Sequence, residues 1–459
     1  MSGHDDLDVV VVGAGPGGYV AAVRAAQHGL RVAVVERDAR LGGRCLREAC
    51  IPAKAVLRAA AARREVAGAG AFGIEVGEPT VAYGGVVAHR DRVIDRLGDG
   101  VRHLLAGRRV RVVHGSGRLV AGGGGAGGDE GLVPSRGVIL AAGSVARELP
   151  GLAFGPRVLD TGAAWLADEL PGSLAVVGAG ASGVELADAL ATLGARVHLI
   201  DQAAQVLPGE EPEAAGLVAR ALGEVGVDLR LGATVESTEV GEERVVLRCG
   251  GEPVEVERVV VAAGRTPDVE GLGLDVAGVQ VGADGRIAVD PHQRTSAPGV
   301  YAIGDLCPGP ALAHKASAEA IVAADHLAGA DASPVDLDAI PRTVFCRPNV
   351  ASIGMTEGAA RAAGHEVSVG RVPYRASGAA VLAGVDRGFV KIVAEVGTGA
   401  LLGACVAGDR APELLQQVAL VRGLEGGPEE LAATVFGHPT LGELVWEASL
   451  AVSGRAIHA

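Results

Sequence analysis

The 459-residue sequence predicts an α/β protein with two doubly wound parallel-sheet folds, the second inserted in the first, followed by a separate α+β domain. Three observations predict it. A strand, glycine turn, helix and second strand recur at matched spacing. Apolar strands ending in glycine recur at 138–144, 259–265 and 299–305. The last stretch, from 341, has strands and helices but no third copy of the turn. At about 150 residues per domain the length suits roughly three domains. Hydrophobic residues make up 49% and charged residues 21%, which excludes a disordered chain.

The first copy reads V-V-V-V-G-A-G-P-G-G, with Gly13, Gly15, Pro16, Gly17 and Gly18, and its second strand ends at Glu36. The second reads L-A-V-V-G-A-G-A-S-G, with Gly178, Gly180, Ala181, Ser182 and Gly183, and its second strand ends at Asp201. In each copy the first glycine and the acid are 23 positions apart. The first glycine makes a tight turn, the second admits a pyrophosphate, and the third packs helix on strand. The helix N-terminus offers free N–H groups to the phosphates, and the acid accepts from ribose hydroxyls. Two such copies in register predict two Rossmann-like nucleotide-binding domains. The expected boundaries are 1–149 and 275–340 for the first, 150–274 for the inserted one, and 341–459 for the last. A helix is expected around Pro412–Arg422, and a final one from about Leu441. The glycine run 122–128 is expected to be a mobile loop between strands.

The net charge of −14 argues against a polyanion partner, so no nucleic acid is expected. No apolar run approaches the ~18–20 residues of a membrane span. The acidic start M-S-G-H-D-D is unlike a secretory signal. Six cysteines in so long a chain suit a reducing cytoplasm, where a disulfide is catalytic. No metal-ligand spacing stands out.

Between Leu41 and Lys54 the chain reads L-G-G-R-C-L-R-E-A-C-I-P-A-K. In a regular helix Cys45 and Cys50 would have Cα atoms ~8–9 Å apart, beyond the roughly 4.4–6.8 Å of a disulfide. A bonded pair therefore requires a distorted helix start, and Pro52 supports a helix beginning there. From spacing alone, two buried structural thiols remain an equal reading. Cys249, Cys307, Cys346 and Cys405 have no paired spacing and read as small buried or surface residues.

The 41–54 stretch resembles the redox segment of the flavin-dependent pyridine nucleotide–disulfide oxidoreductases. Within that family, P-A-L-A-H-K-A-S-A-E at 310–319 and G-H-P-T-L-G-E at 437–443 look like segments of the dihydrolipoyl dehydrogenases. The resemblance covers essentially the whole chain, in order. It implies that the first fold binds FAD, with the pyrophosphate at Gly13–Gly18, the adenosine ribose at Glu36, the ribityl chain near Asp305 and the ring at the Ala313 N–H. Further FAD positions implied are Arg37, Gly43, Arg44, Cys45, Lys54, Gly117, Ala142, Gly143, Ser144, Leu312 and His314. The second fold would bind NAD at Gly178–Gly183, Glu185, Asp201, Val235, Gly264 and Arg265. The Asp201 carboxylate repels a 2′-phosphate, and Gln202-Ala203-Ala204 supplies no arginine, which favours NAD over NADP.

The resemblance also implies a relay. Cys45 is the interchange thiol and Cys50 sits against the flavin. His438 is the base and Glu443 orients it. Lys54, one of only three lysines, stabilises negative charge near the flavin and thiolate, with Glu185 as its ion-pair partner. His438 comes from the other subunit of a homodimer. The substrate implied is a dihydrolipoyl group on a separate lipoyl-bearing protein. Alternatives are an NAD(P)H-dependent reductase of another low-molecular-weight disulfide, and a flavin-binding assembly or electron-transfer subunit. The chain departs from the family pattern at Arg47, Glu48, Phe436, Gly442 and Ala142. Arg47 is open to two readings, lowering a thiolate pKa or facing solvent.

Overall fold

The computed structural model describes residues 7–120, 125–127 and 130–459. The chain divides into two compact units. One holds the residues up to 55 with 84–147 and 264–337; the other holds 56–83, 148–263 and 338–459.

The first unit is built on a five-stranded parallel sheet. Its order is Val300–Ala302, Pro134–Leu140, Leu7–Val12, Val32–Glu36, Arg111–His114. The four valines at 9–12 occupy the central strand, with Val9, Val10 and Val11 fully buried. β-branched residues suit a strand covered on both faces. Helices Pro16–Gln27 and Ala313–Ala328 pack together on one face. Small residues, Ala21, Ala22 and Ala25 against Ala320, Ala323 and Ala324, fill that layer. The long helix Tyr83–Gly107 buries only Arg90, Ile94, Val101 and Leu105.

The second unit repeats this plan. Its parallel sheet runs Asp228–Leu231, Arg196–Asp201, Ser173–Val177, Arg258–Val261, Val158–Asp160. The strand before the glycine turn is again central, with the acid-bearing strand beside it. The unit also holds a five-stranded antiparallel sheet, in the order Arg342–Val344, Asn349–Gly354, Leu401–Gly408, Phe389–Glu395, Val367–Pro373. Helices Ala411–Gly423 and Glu443–Val452 pack on it around Tyr374, Leu415 and Val445. Both predicted C-terminal helices are present, shifted by one or two residues at their ends, which is ordinary for helix termini.

Two local expectations need correction. Part of the glycine run 122–128 is a strand: Gly125–Gly127 pairs with Gly117–Leu119 and Glu130–Leu132. A strand reading G-A-G has no apolar alternation to read, so the sequence offered no signal. The rest of that run, and the start M-S-G-H-D-D, lie outside the described residues. The helix expected to begin at Pro52 begins at Cys50, which puts Pro52 within its first turn, where its missing N–H costs nothing. Among the described residues, no helix is long and apolar enough to cross a membrane.

Candidate active site

The two glycine turns have the same geometry. Gly13 has φ +99°, and a Cβ there would lie 2.5 Å from the Ala141 carbonyl oxygen. Gly178 has φ +114°, with its virtual Cβ 2.5 Å from the Ala262 oxygen. Only glycine is comfortable at either place. The N–H of Ala14 donates to Glu36 Oε2 at 2.7 Å, and that of Asp38 to Oε1 at 3.0 Å. The copy repeats it: Ala179 N–H to Asp201 Oδ2 at 2.5 Å, Ala203 N–H to Oδ1 at 2.7 Å. Each acid therefore holds its own turn closed and keeps a lone pair on each oxygen for another donor.

A nucleotide fits both turns. Helices Pro16–Gln27 and Ala181–Leu193 begin at Gly15 and Gly180 with no side-chain cap and no acidic residue in the first turn. Their leading N–H groups are available to an anion. A Cβ at Gly180 would meet nothing within 4 Å, so a side chain there would fill the space a phosphate takes. At Gly15 the nearest atom is Gly43 Cα, at 3.9 Å.

That neighbour belongs to the redox segment. Gly43 has φ +58°, and its virtual Cβ would lie 2.5 Å from Gly15 Cα. The Gly42 N–H donates to the Ala14 carbonyl at 3.0 Å. A short helix then covers Gly43–Arg47 and a second begins at Cys50. Between them the Ala49 N–H reaches back to the Arg44 carbonyl, one residue further than an α-helical bond. This break is the distortion the cysteine spacing demanded. It brings the Cys45 and Cys50 side chains into hydrogen-bond contact, both as thiols. The contact with Cys50, followed by burial, pushes the Cys45 thiol well up, while the Lys54 ammonium pulls it down. Tyr19, on the first helix, also faces Cys45: burial and that sulfur raise its phenol. The other four cysteines are buried.

Farther along the first unit, Ser144 Oγ donates to Asp305 Oδ2 at 2.5 Å and accepts from Arg265 Nε at 2.7 Å. Arg265 also donates to the Ser144 carbonyl. The structure thus places Arg265, expected at the nicotinamide nucleotide, on Ser144, which in turn holds Asp305; both are residues expected at FAD. Arg37 pairs with Asp268 at 2.8 Å. Gly143, with φ +82°, has nothing within 4 Å of its virtual Cβ, whereas Gly117 sits against Val12 and Val35. Ala142 is half-buried against the core. Leu312 and Ala313 begin an uncapped helix, and His314 is exposed. Beside them Lys315, 1% exposed, pairs with Glu319 at 2.9 Å. The ammonium donates to the Gly304 carbonyl, and Glu319 accepts the Gly304 N–H. This buried pair grips the backbone next to Asp305. Neither it nor Tyr19 was singled out in the sequence. The available signals were the scarcity of lysine and of tyrosine, of which the chain has four.

In the second unit Glu185 is buried, with Oε1 accepting the Phe345 N–H at 2.9 Å. Val235 packs against the apolar cluster of the inserted fold. His438 Nδ1 lies 2.9 Å from Glu443 Oε1. Only a ring N–H can meet a carboxylate, so Nε2 is left as the proton acceptor. The ring is 79% exposed, leaving Nε2 open. Burial works against the Glu443 carboxylate, but the Thr440 N–H and the His438 ring outweigh it and hold the carboxyl below its usual range. Two departures from the family pattern touch: a Cβ at Gly442 would lie 3.2 Å from Phe436 Cδ1. The glycine makes room for the larger ring.

Comparison with known proteins settles the family. The model for pyridine nucleotide-disulphide oxidoreductases matches residues 7–320, and that for their dimerisation domain matches 340–449. The chain belongs to this family. It is an NAD-dependent flavoprotein oxidoreductase of disulfides, using FAD and NAD. The dihydrolipoyl dehydrogenase of Zymomonas mobilis is 38% identical, covering 99% of each chain. That of Thermus scotoductus is 40% identical, covering 98% of each. Among solved structures, LpdA of Mycobacterium tuberculosis aligns with a TM-score of 0.89 at 28% identity, covering 96% of this chain and 99% of that one. The HOCl-induced flavoprotein disulfide reductase RclA of Escherichia coli, in a Cu(II) complex, gives 0.86 at 26%, covering 98% and 99%. The match to a dimerisation domain supports a homodimer.

Proposed function

We propose that the protein oxidises dihydrolipoyl groups carried on a separate protein, as a homodimer in the cytoplasm. The observation that carries this is the Cys45–Cys50 contact, seated on the first glycine turn through Gly43. In this reading the segments up to 149 and 275–340 hold FAD, 150–274 holds NAD, and 341–459 forms the dimer.

The residues divide the work as follows. His438 Nε2 takes the proton of one substrate thiol, because only the thiolate attacks a disulfide. Glu443 holds the imidazole through Nδ1 and stabilises the cation that results. The substrate sulfur bonds to Cys45, and the Cys45–Cys50 bond breaks with its electron pair on Cys50. The second substrate thiol displaces Cys45, releasing the cyclic disulfide and a proton. Lys54 stabilises the negative charge left on the pair. Held by the first glycine turn beside the cysteine pair, a flavin would supply two-electron transfer between that pair and NAD⁺. Glu36 holds the first turn in shape for FAD and Asp201 the second for NAD. Ser144, Arg265 and Asp305 fix the sheet end where the ribityl chain would lie.

A reductase working from NAD(P)H toward another disulfide is the second reading. The charged Arg47 and Glu48 inside the redox loop, and the likeness to the E. coli disulfide reductase, favour it. Steady-state kinetics with dihydrolipoamide, glutathione disulfide and mycothiol disulfide, each with both nucleotides, separate the two. The expected result is turnover with dihydrolipoamide and NAD⁺. A kcat/KM larger for either disulfide with a reduced nucleotide would overturn it.

A further inference from the structure

Arg47 does not face solvent freely. Its Nη2 bridges two carboxylates, Asp38 Oδ2 at 2.6 Å and Glu48 Oε1 at 3.2 Å. Arg44 Nε stands 3.9 Å from the other oxygen of Glu48. Arg47 Nε is buried without a partner among the described residues, so the guanidinium is committed to the two acids rather than to water. The four side chains are only 21% to 33% exposed, so solvent screens them incompletely. Two cations and two anions balance. The cluster sits within the redox loop, since Arg47 follows Cys45 by two positions and Glu48 precedes Cys50 by two.

The cluster also closes a ring of contacts. Asp38 donates its N–H to Glu36, Glu36 accepts from Ala14, and Ala14 accepts from Gly42 at the start of the redox loop. Arg47 joins the end of that loop back to Asp38.

We infer that Arg47 is a positioning residue whose neutral cluster with Arg44, Asp38 and Glu48 sets the midpoint potential of the Cys45–Cys50 couple. The inference rests on the proposed role of that pair. The couple takes up two electrons and two protons to pass from disulfide to dithiol. Once one proton leaves, the reduced form carries a thiolate and the oxidised form carries no charge. A net negative cluster therefore disfavours the reduced form, and a net positive one favours it.

The test is the sign of the change. Holoenzyme is equilibrated at pH 8 in graded dithiothreitol redox buffers, and alkylated Cys45 and Cys50 are counted by mass. Arg47→Gln leaves the cluster at −1 and should shift the equilibrium about tenfold toward disulfide, about 30 mV more negative. Glu48→Gln leaves it at +1 and should shift the couple the other way by a similar amount. The double variant should return close to the wild-type value, and Arg47→Lys should stay near it. Opposite signs and a restoring double variant are beyond what misfolding produces. Shifts of the same sign, or none, with a wild-type couple that titrates normally would overturn the inference alone. A wild-type pair that does not titrate would overturn the redox assignment beneath it.

Discussion

The two glycine turns share a strand order, an acid spacing and the same pair of backbone bonds to the acid, yet they differ at the second glycine. At Gly180 the space beyond the missing Cβ is open. At Gly15 it faces Gly43 of the redox segment, and Gly43 in turn has no room for a side chain. The first turn is also the seat on which the Cys45–Cys50 loop rests, tied there by the Gly42 N–H and closed by Arg47–Asp38. The two turns share one plan, and a second segment packed on the first brings Cys45 and Cys50 into contact there.

The largest expected effect breaks that seat. Gly43→Ala puts a Cβ 2.5 Å from Gly15 Cα at a positive φ. It should cost about 2–4 kcal/mol and strip the flavin. Urea denaturation and the flavin-to-protein absorbance ratio measure both, and unchanged flavin retention would separate loop from turn.

Glu443→Gln should leave both turns intact while slowing dithiol oxidation by about 100-fold and sparing NADH-to-dye transfer. Its pH signature has a definite sign. The folded carboxyl titrates below its ordinary value, so the stabilisation it provides is complete above the unfolded value and is lost as pH falls through the folded one. Wild type and variant should therefore differ in thermal stability at pH 7 and converge on strong acidification.

Smaller effects compare the acids. Glu36→Gln should weaken FAD and Asp201→Asn should weaken NAD, each by about tenfold and each sparing the other nucleotide. Titration calorimetry with each nucleotide reads this, and a crossed effect would undo the assignment. Smallest in stability is Gly180→Ala, within about 0.5 kcal/mol of wild type, with a clear loss of NAD affinity. An equal loss of stability would mean that Gly180, like Gly43, is packed against protein.

How much of this was legible in the sequence follows from range. The turns, the acids and the order of strands are written locally, in glycines that must turn and valines that must be buried, and they were readable. The α+β end was readable from strand and helix periods. The break between Arg47 and Cys50 could be stated only as a condition, because the cysteine spacing says that a helix must fail without saying how. Tyr19 against Cys45 joins residues far apart in sequence, while the Lys315–Glu319 grip on Gly304 and the Phe436–Gly442 contact involve irregular backbone, where no period points. Arg47 was visible as a departure, but its two expected roles both missed Asp38, nine positions earlier.

The central claim is that the sulfurs of Cys45 and Cys50 carry the electron pair between dithiol and nucleotide. Anaerobic mixing of holoenzyme with one equivalent of dihydrolipoamide and excess NAD⁺ tests it most directly. Wild type should yield one equivalent of NADH, and Cys45→Ser and Cys50→Ser none, though both keep their flavin. NADH appearing at the wild-type rate in either variant would contradict the account.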